Sequence, residues 1–213
     1  MSALATTERN AFEAYSEAAS RSRIIGKLLK FSKGEYLAGQ DGEEIPEGTQ
    51  LVVNMDELLV GWQKWSNGKP ADSAMGRVAD GFKPPKRADL GDNDESLWET
   101  DDRGDRRDPW QLTNVAILKE VDGGQIYTFA TSSKGGVSAI GELAGAYGKA
   151  MRQRPDEYPV IGLNVRSYKH PNKAYGKIFT PQFGIVGWAP KVTFEDALAA
   201  ATTQAEEDAS APF

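Results

Sequence analysis

The chain has no cysteine and a single histidine, His170. Without thiols there are no disulfides, no cysteine nucleophile, no iron–sulfur cluster and no thiolate zinc site, and one imidazole excludes any two-histidine metal motif. A Ser-His-Asp triad would have to use His170, which sits in a His-Pro-Asn sequence within a basic loop, a poor setting for that geometry. No run approaches the roughly 18 apolar residues of a membrane-spanning helix. The start, Met1-Ser2-Ala3-Leu4, lacks the basic and apolar stretches of a secretory signal, so a cytoplasmic location away from membranes is expected. The acids between Asp92 and Asp108 fit no EF-hand loop, and no histidine or base is spaced beside them for metal-assisted hydrolysis. A solvated loop is the simpler reading, and the expectation is a chain without catalytic residues, metal or cofactor.

What is present suits a globular chain of 213 residues, 39% hydrophobic and 26% charged, with one core and appendages. The net charge of −6 argues at first against a phosphate-bearing partner, which is held by lysine and arginine. The charge, however, is sorted along the chain. From Lys191 onward one base faces five acids, and Asp80 to Asp108 holds ten acids and six bases. Ser132 to Pro190 carries eight bases and three acids, and Arg21 to Gly34 has five bases and no acid.

Residues 1–20 are polar and Ala-rich and read as an N-terminal arm, either a short helix after Thr7 or a loose segment. Between Ile24 and Leu37 the apolar pattern fits a helix or a buried strand, and periodicity alone does not separate them. Thr49 to Trp65 reads as a long bent strand closed by Ser66-Asn67-Gly68. Residues 69–109, rich in proline and acid, read as a long surface insertion. Two β-prone runs, Gln111 to Val121 and Gln125 to Thr131, meet through Asp122-Gly123-Gly124 and predict a hairpin. Val137, Ile140, Leu143, Ala144, Tyr147 and Met151 fall on one helical face, and Pro155 ends that helix. Tyr158 to Tyr168 and Tyr175 to Trp188 predict a last hairpin. The order of long strand, insertion, hairpin, helix and hairpin predicts a mainly β domain over residues 21–190. The expected fold is an OB-fold-like five-stranded antiparallel barrel with a helix between the third and fourth strands. A generic α+β sheet would show the same order. Residues 191–213 read as a flexible acidic tail.

Binding of single strands without sequence preference needs cations for the phosphates and aromatic faces for the bases. Trp62, Lys64 and Trp65 combine the two near a strand end, and because the tryptophans point to opposite faces at most one of them meets a ligand. Tyr127 and Phe129 share a strand face and are either a stacking platform or core. Lys134 follows in a small-residue turn before the helix, where an anion can approach. Arg152 and Arg154 add charge at the helix end. The richest segment interleaves Arg166, Tyr168, Lys169, Lys173, Tyr175 and Lys177 over strand, loop and strand, where exposed tyrosines are better explained by binding than by folding.

The chain finishes Glu206-Glu207-Asp208-Ala209-Ser210-Ala211-Pro212-Phe213. A terminal aromatic after acids suits a partner's pocket ringed by basic residues. This ending resembles the tail of bacterial single-stranded DNA-binding proteins, and with the OB-like order and long insertion the chain is similar to those that phages encode. The resemblance implies binding and protection of single-stranded DNA during replication or recombination, in a host cytoplasm. It further implies recruitment of replication or recombination proteins through Glu206, Glu207, Asp208, Pro212 and Phe213, with a homodimer left open. The competing expectation is an acidic protein-binding regulator, or nucleic-acid mimic, without DNA affinity.

Overall fold

The computed structural model describes residues 24–101, 104–173 and 176–210, with side chains described as far as residue 200 in the last of these segments. The expected arm at 1–20 lies outside the described residues. Nine strands form one curled, open sheet, a half-barrel, in place of the expected five. They are β1 (Lys27–Ser32), β2 (Glu35–Ala38), β3 (Glu43–Ile45), β4 (Gln50–Ser66), β5 (Lys69–Arg77), β6 (Trp110–Glu120), β7 (Ile126–Thr131), β8 (Glu157–Lys169) and β9 (Lys177–Pro190). Helix α1 (Lys134–Ala150) lies between β7 and β8, and helix α2 (Lys191–Ser210) follows β9. The sheet order is β3-β2-β1-β7-β6-β4-β8-β9, with β5 added to β4. No helix of the described residues is long and apolar enough to cross a membrane.

The long strand β4 organises this sheet. Its pairing with β6 shifts register between Asn54 and Leu59, where Asn54 faces Ile117 and Leu59 faces Val115. The extra β4 residues form a bulge, and bulges bend a strand and raise its twist. Asn54 is only 2% exposed, and its side-chain oxygen accepts the Asp56 and Glu57 amides at 3.1 Å each, so the bulge itself satisfies this buried polar group. Before the bend, Gln50–Val52 pair with β8, and beyond it Leu59–Ser66 pair with β5. The first part of the segment 69–109 is therefore a strand of the sheet, not a surface loop.

The ambiguous stretch after Ile24 resolves into β1 and β2. β1 runs parallel to β7, with Lys27 opposite Tyr127. The β1–β2 ribbon faces β8 and β9 across the half-barrel. There the Tyr36 hydroxyl donates to the Asn164 carbonyl at 2.8 Å, and its ring lies 6.4 Å from Phe183. Burial raises the Tyr36 pKa, so this seam holds a neutral phenol donor. Leu29, Leu51, Val53, Leu118, Phe129, Leu143, Ile161 and Leu163 form the centre of one continuous core.

The segment expected to be a flexible tail from 191 is helical as far as Ser210, and its first turn is docked. Phe194 is fully buried and packs edge-on to Tyr158 at 5.8 Å. Lys191 Nζ reaches Asp56 Oδ2 at 2.7 Å, and the Tyr158 hydroxyl donates to the same oxygen at 3.0 Å. Apolar burial and a shared carboxylate thus join the helix to the β4 bulge. Phe194→Ala should lower unfolding stability by about 3–5 kcal/mol, the usual cost of a buried aromatic-to-alanine change. Urea titration would read this as a lower midpoint with an unchanged slope.

Candidate nucleic-acid interface

The loop between β7 and α1 is Ser132-Ser133, and Ser133 caps the helix by accepting the Gly136 amide at 3.1 Å. Gly135 lets this first turn sit on β9, since a Cβ there would fall 2.6 Å from Thr180 Cγ2. Between the helix start and the β8–β9 hairpin opens a cleft of about 530 Å³ lined by Lys134, Arg166, Tyr168, Phe179 and Gln182, among others. Arg166 faces Thr180 and Tyr168 faces Ile178 in the hairpin register, so these four share one side of the ribbon. Phe179 stands on the opposite side, paired with Ser167 at the free edge of β9, so the cleft wraps that edge. The Lys177 ammonium sits 4.9 Å above the Phe179 ring. Gly34 of the β1–β2 turn has φ +97° and lies so close that a Cβ would come within 2.8 Å of that ring. Glu142 is the one acid among the lining residues.

Three expected residues, Lys134, Arg166 and Tyr168, therefore meet in one cleft, although 32 positions of sequence separate the first two. Tyr168 is 49% exposed, and Lys169, Lys173 and Lys177 are exposed along the same hairpin. Tyr175 lies outside the described residues, as do Pro212 and Phe213. Glu206, Glu207 and Asp208 belong to the backbone of α2. Phe179 was missed by the sequence reading. Its signal was present in Lys177-Ile178-Phe179, where a cation and an aromatic two apart on a strand share a face.

Several other expected residues are placed elsewhere. Tyr127 and Phe129 are 3% and 1% exposed and offer no stacking platform. Both strand neighbours of β7 cover them, with Phe129 edge-on to Phe183 at 5.3 Å and the Tyr127 hydroxyl donating to Glu120 at 2.6 Å. Arg152 and Arg154 lie beyond the far end of α1, which at 17 residues is about 25 Å long, so they do not join the cleft. Arg154 is also engaged, bonded to Glu157 at 2.8 Å and stacked 5.1 Å over Trp188.

Trp62 and Lys64 hold the insertion instead of facing a ligand. The Trp62 indole donates to the Pro85 carbonyl at 2.9 Å, and Lys64 pairs with Asp92 at 2.9 Å. The same carboxylate accepts the Trp110 indole at 2.9 Å, while the Asp92 carbonyl accepts that of Trp98 at 2.7 Å. Arg87 grips Asp108 through Nε and Nη2, at 2.7 and 2.8 Å, and also reaches the Gly91 carbonyl. Lys64 and Trp110 hold the Asp92 carboxyl below its usual pKa. The acidic insertion is thus cross-linked through its own charges. Among the described residues, no group of three or more His, Asp or Glu side chains is placed to hold a metal ion.

Comparison of the chain with protein families, curated proteins and solved structures finds no match.

Because Asp92 ionises more readily in the folded chain, its clamp is complete at neutral pH and is lost as the pH falls through its lowered pKa. Asp92→Asn should therefore make the bonds after Lys86 and Arg87 sensitive to trypsin at neutral pH, while the wild-type insertion resists. A fragment pattern identical to wild type would show that the clamp does not hold the insertion.

Proposed function

We propose that the chain binds single-stranded DNA in the cleft between the start of α1 and the β8–β9 hairpin. The observation that carries this reading is the convergence of Lys134, Arg166 and Lys177 with the exposed rings of Tyr168 and Phe179 at one cleft. Cations track a backbone and rings take bases, which is the pairing that sequence-tolerant single-strand binding requires. In this reading β4, β6, β7, β8 and β9 are the five strands of an OB-like unit, with α1 between the third and fourth. The contacts of β4 with both β6 and β8 support it. Strands β1–β3 and β5 are then additions, and β1 occupies the parallel position beside β7 where a closed barrel would need a partner.

The chain acts as a binding protein that protects single strands, and the acids Glu206, Glu207 and Asp208 with Pro212 and Phe213 recruit replication or recombination proteins. The alternative of an acidic mimic has less support. Asp92 and Asp108 are committed to Lys64 and Arg87, and Asp94 caps its own turn through Ser96, so the insertion presents less free charge than its composition suggests.

Fluorescence anisotropy with labelled oligo-dT tests the reading. Affinity should fall steeply with salt, and Arg166→Ala should weaken binding and flatten the log–log salt slope by about 0.7, the release expected for one single-strand phosphate contact. Absence of binding at low salt by both the full chain and a chain ending before Glu206 would overturn it.

A further inference from the structure

A second cleft, of about 370 Å³, adjoins the same β7–α1 loop. Ser132 lines it, and the next two residues, Ser133 and Lys134, line the first cleft. Consecutive Cα atoms are about 3.8 Å apart, so a single extended polymer lying across this loop would reach both. The second cleft is walled by Trp65, Arg107 and Gln111 with the carboxylates Glu99 and Asp108.

Trp65 is 36% exposed here, whereas Trp110 on the neighbouring strand is 5% exposed and Trp62 has its indole bonded to the insertion. Arg107 is held by a neutral partner. With the Gln111 amide turned so that its oxygen faces the guanidinium, that oxygen accepts Nε and Nη2 at 2.9 Å each, and the amide nitrogen donates to Ser132 Oγ at 3.3 Å. A polar chain therefore runs from the insertion across β6 to the shared loop. Both acids are already engaged, Glu99 by the Asn67 amide at 2.9 Å and Asp108 by Arg87. With two carboxylates in the wall, the cleft is poorly suited to a phosphate. A partly exposed indole beside an amide, a hydroxyl and a guanidinium suits a planar, uncharged ring with hydrogen-bonding edges.

We infer that this second cleft takes a nucleobase of the strand whose backbone lies in the first cleft, stacked on Trp65 with its edge toward Arg107, Gln111 and Ser132. The inference rests on the single-strand reading of the first cleft and extends its footprint onto the insertion. Its volume lies near the lower end of the range for small-molecule pockets, roughly 300–1,000 Å³, which fits one base better than a folded chain segment.

The test uses the full chain and labelled oligo-dT of increasing length, from about 4 to about 16 nucleotides, the range of single OB-fold footprints. Wild type should gain affinity as the oligonucleotide becomes long enough to cross the loop. Trp65→Ala should lose that gain, by roughly five- to 150-fold for one lost stack, while binding the shortest oligonucleotides like wild type. Trp65→Phe, which keeps a ring, should retain most of the gain and guards against a folding artefact. Arg107→Ala should also reduce the gain, and Arg166→Ala should weaken every length. If Trp65→Ala and Arg107→Ala bind every length like wild type while Arg166→Ala is impaired, the second subsite falls and the first cleft stands. If wild type binds no oligonucleotide, both fall.

Discussion

The bulge in β4 is the constraint on which the remaining structure depends. A straight strand of 17 residues would commit its whole length to the same neighbours, whereas the bent one presents Gln50–Val52 to β8 and Leu59–Ser66 to β5 while pairing with β6 on both sides of the bulge. The bend is sustained by Asn54, which would be a costly buried amide were it not bonded to the two backbone amides that the bulge exposes. Asp56, the next bulge residue but one, carries the anchor of α2. One local irregularity thus curls the sheet, brings the β8–β9 hairpin beside α1 and seats the final helix.

Charge is sorted along the chain, and in space part of it is paired. In the acidic run Asp92 pairs with Lys64 and Asp108 with Arg87, while Arg106 bonds the Trp98 carbonyl at 2.7 Å. Individually such exposed contacts stabilise little. Their value lies in convergence, since Asp92 serves four side chains at once, those of Lys64, Arg87, Trp98 and Trp110. The cations of the β8–β9 hairpin have a different environment: Arg166, Lys169, Lys173 and Lys177 are exposed and, among the described residues, form no ion pair. That contrast, more than the total charge, separates the scaffold from the candidate site.

Much of the fold was legible because its signals were local. The Asp-Gly-Gly turn, the helical spacing from Val137 to Met151 and the two β-rich runs after Pro155 each describe a few neighbouring residues, and each element formed as read. Harder to see were features decided by distant partners. Whether Leu28, Leu29 and Phe31 belonged to strand or helix depended on a parallel edge offered by β7, 100 positions away. Tyr127 and Phe129 alternate as a binding face would, and only the cover supplied by Phe183 and the flanking strands makes them core. In the same way, the acids after Lys86 read as a solvated loop because nothing in their spacing shows that tryptophan indoles return to meet them. The candidate cleft was half legible: the cations and Tyr168 stood out in sequence, while their meeting with Lys134 required the helix to fold back over β9.

The stapled insertion also bears on how the molecule tolerates change. Its two ends leave from β5 and return at β6, strands that flank β4 on either side, so the sheet is complete whatever lies between them. Leu97, within this segment, is 81% exposed. Doubling the length of a flexible loop costs only about 0.6 kcal/mol in closure entropy. The neighbourhood of Leu97 is therefore a natural acceptor for grafted sequence, where an epitope, a fluorophore-bearing peptide or a whole small domain can be carried without disturbing the strands beneath.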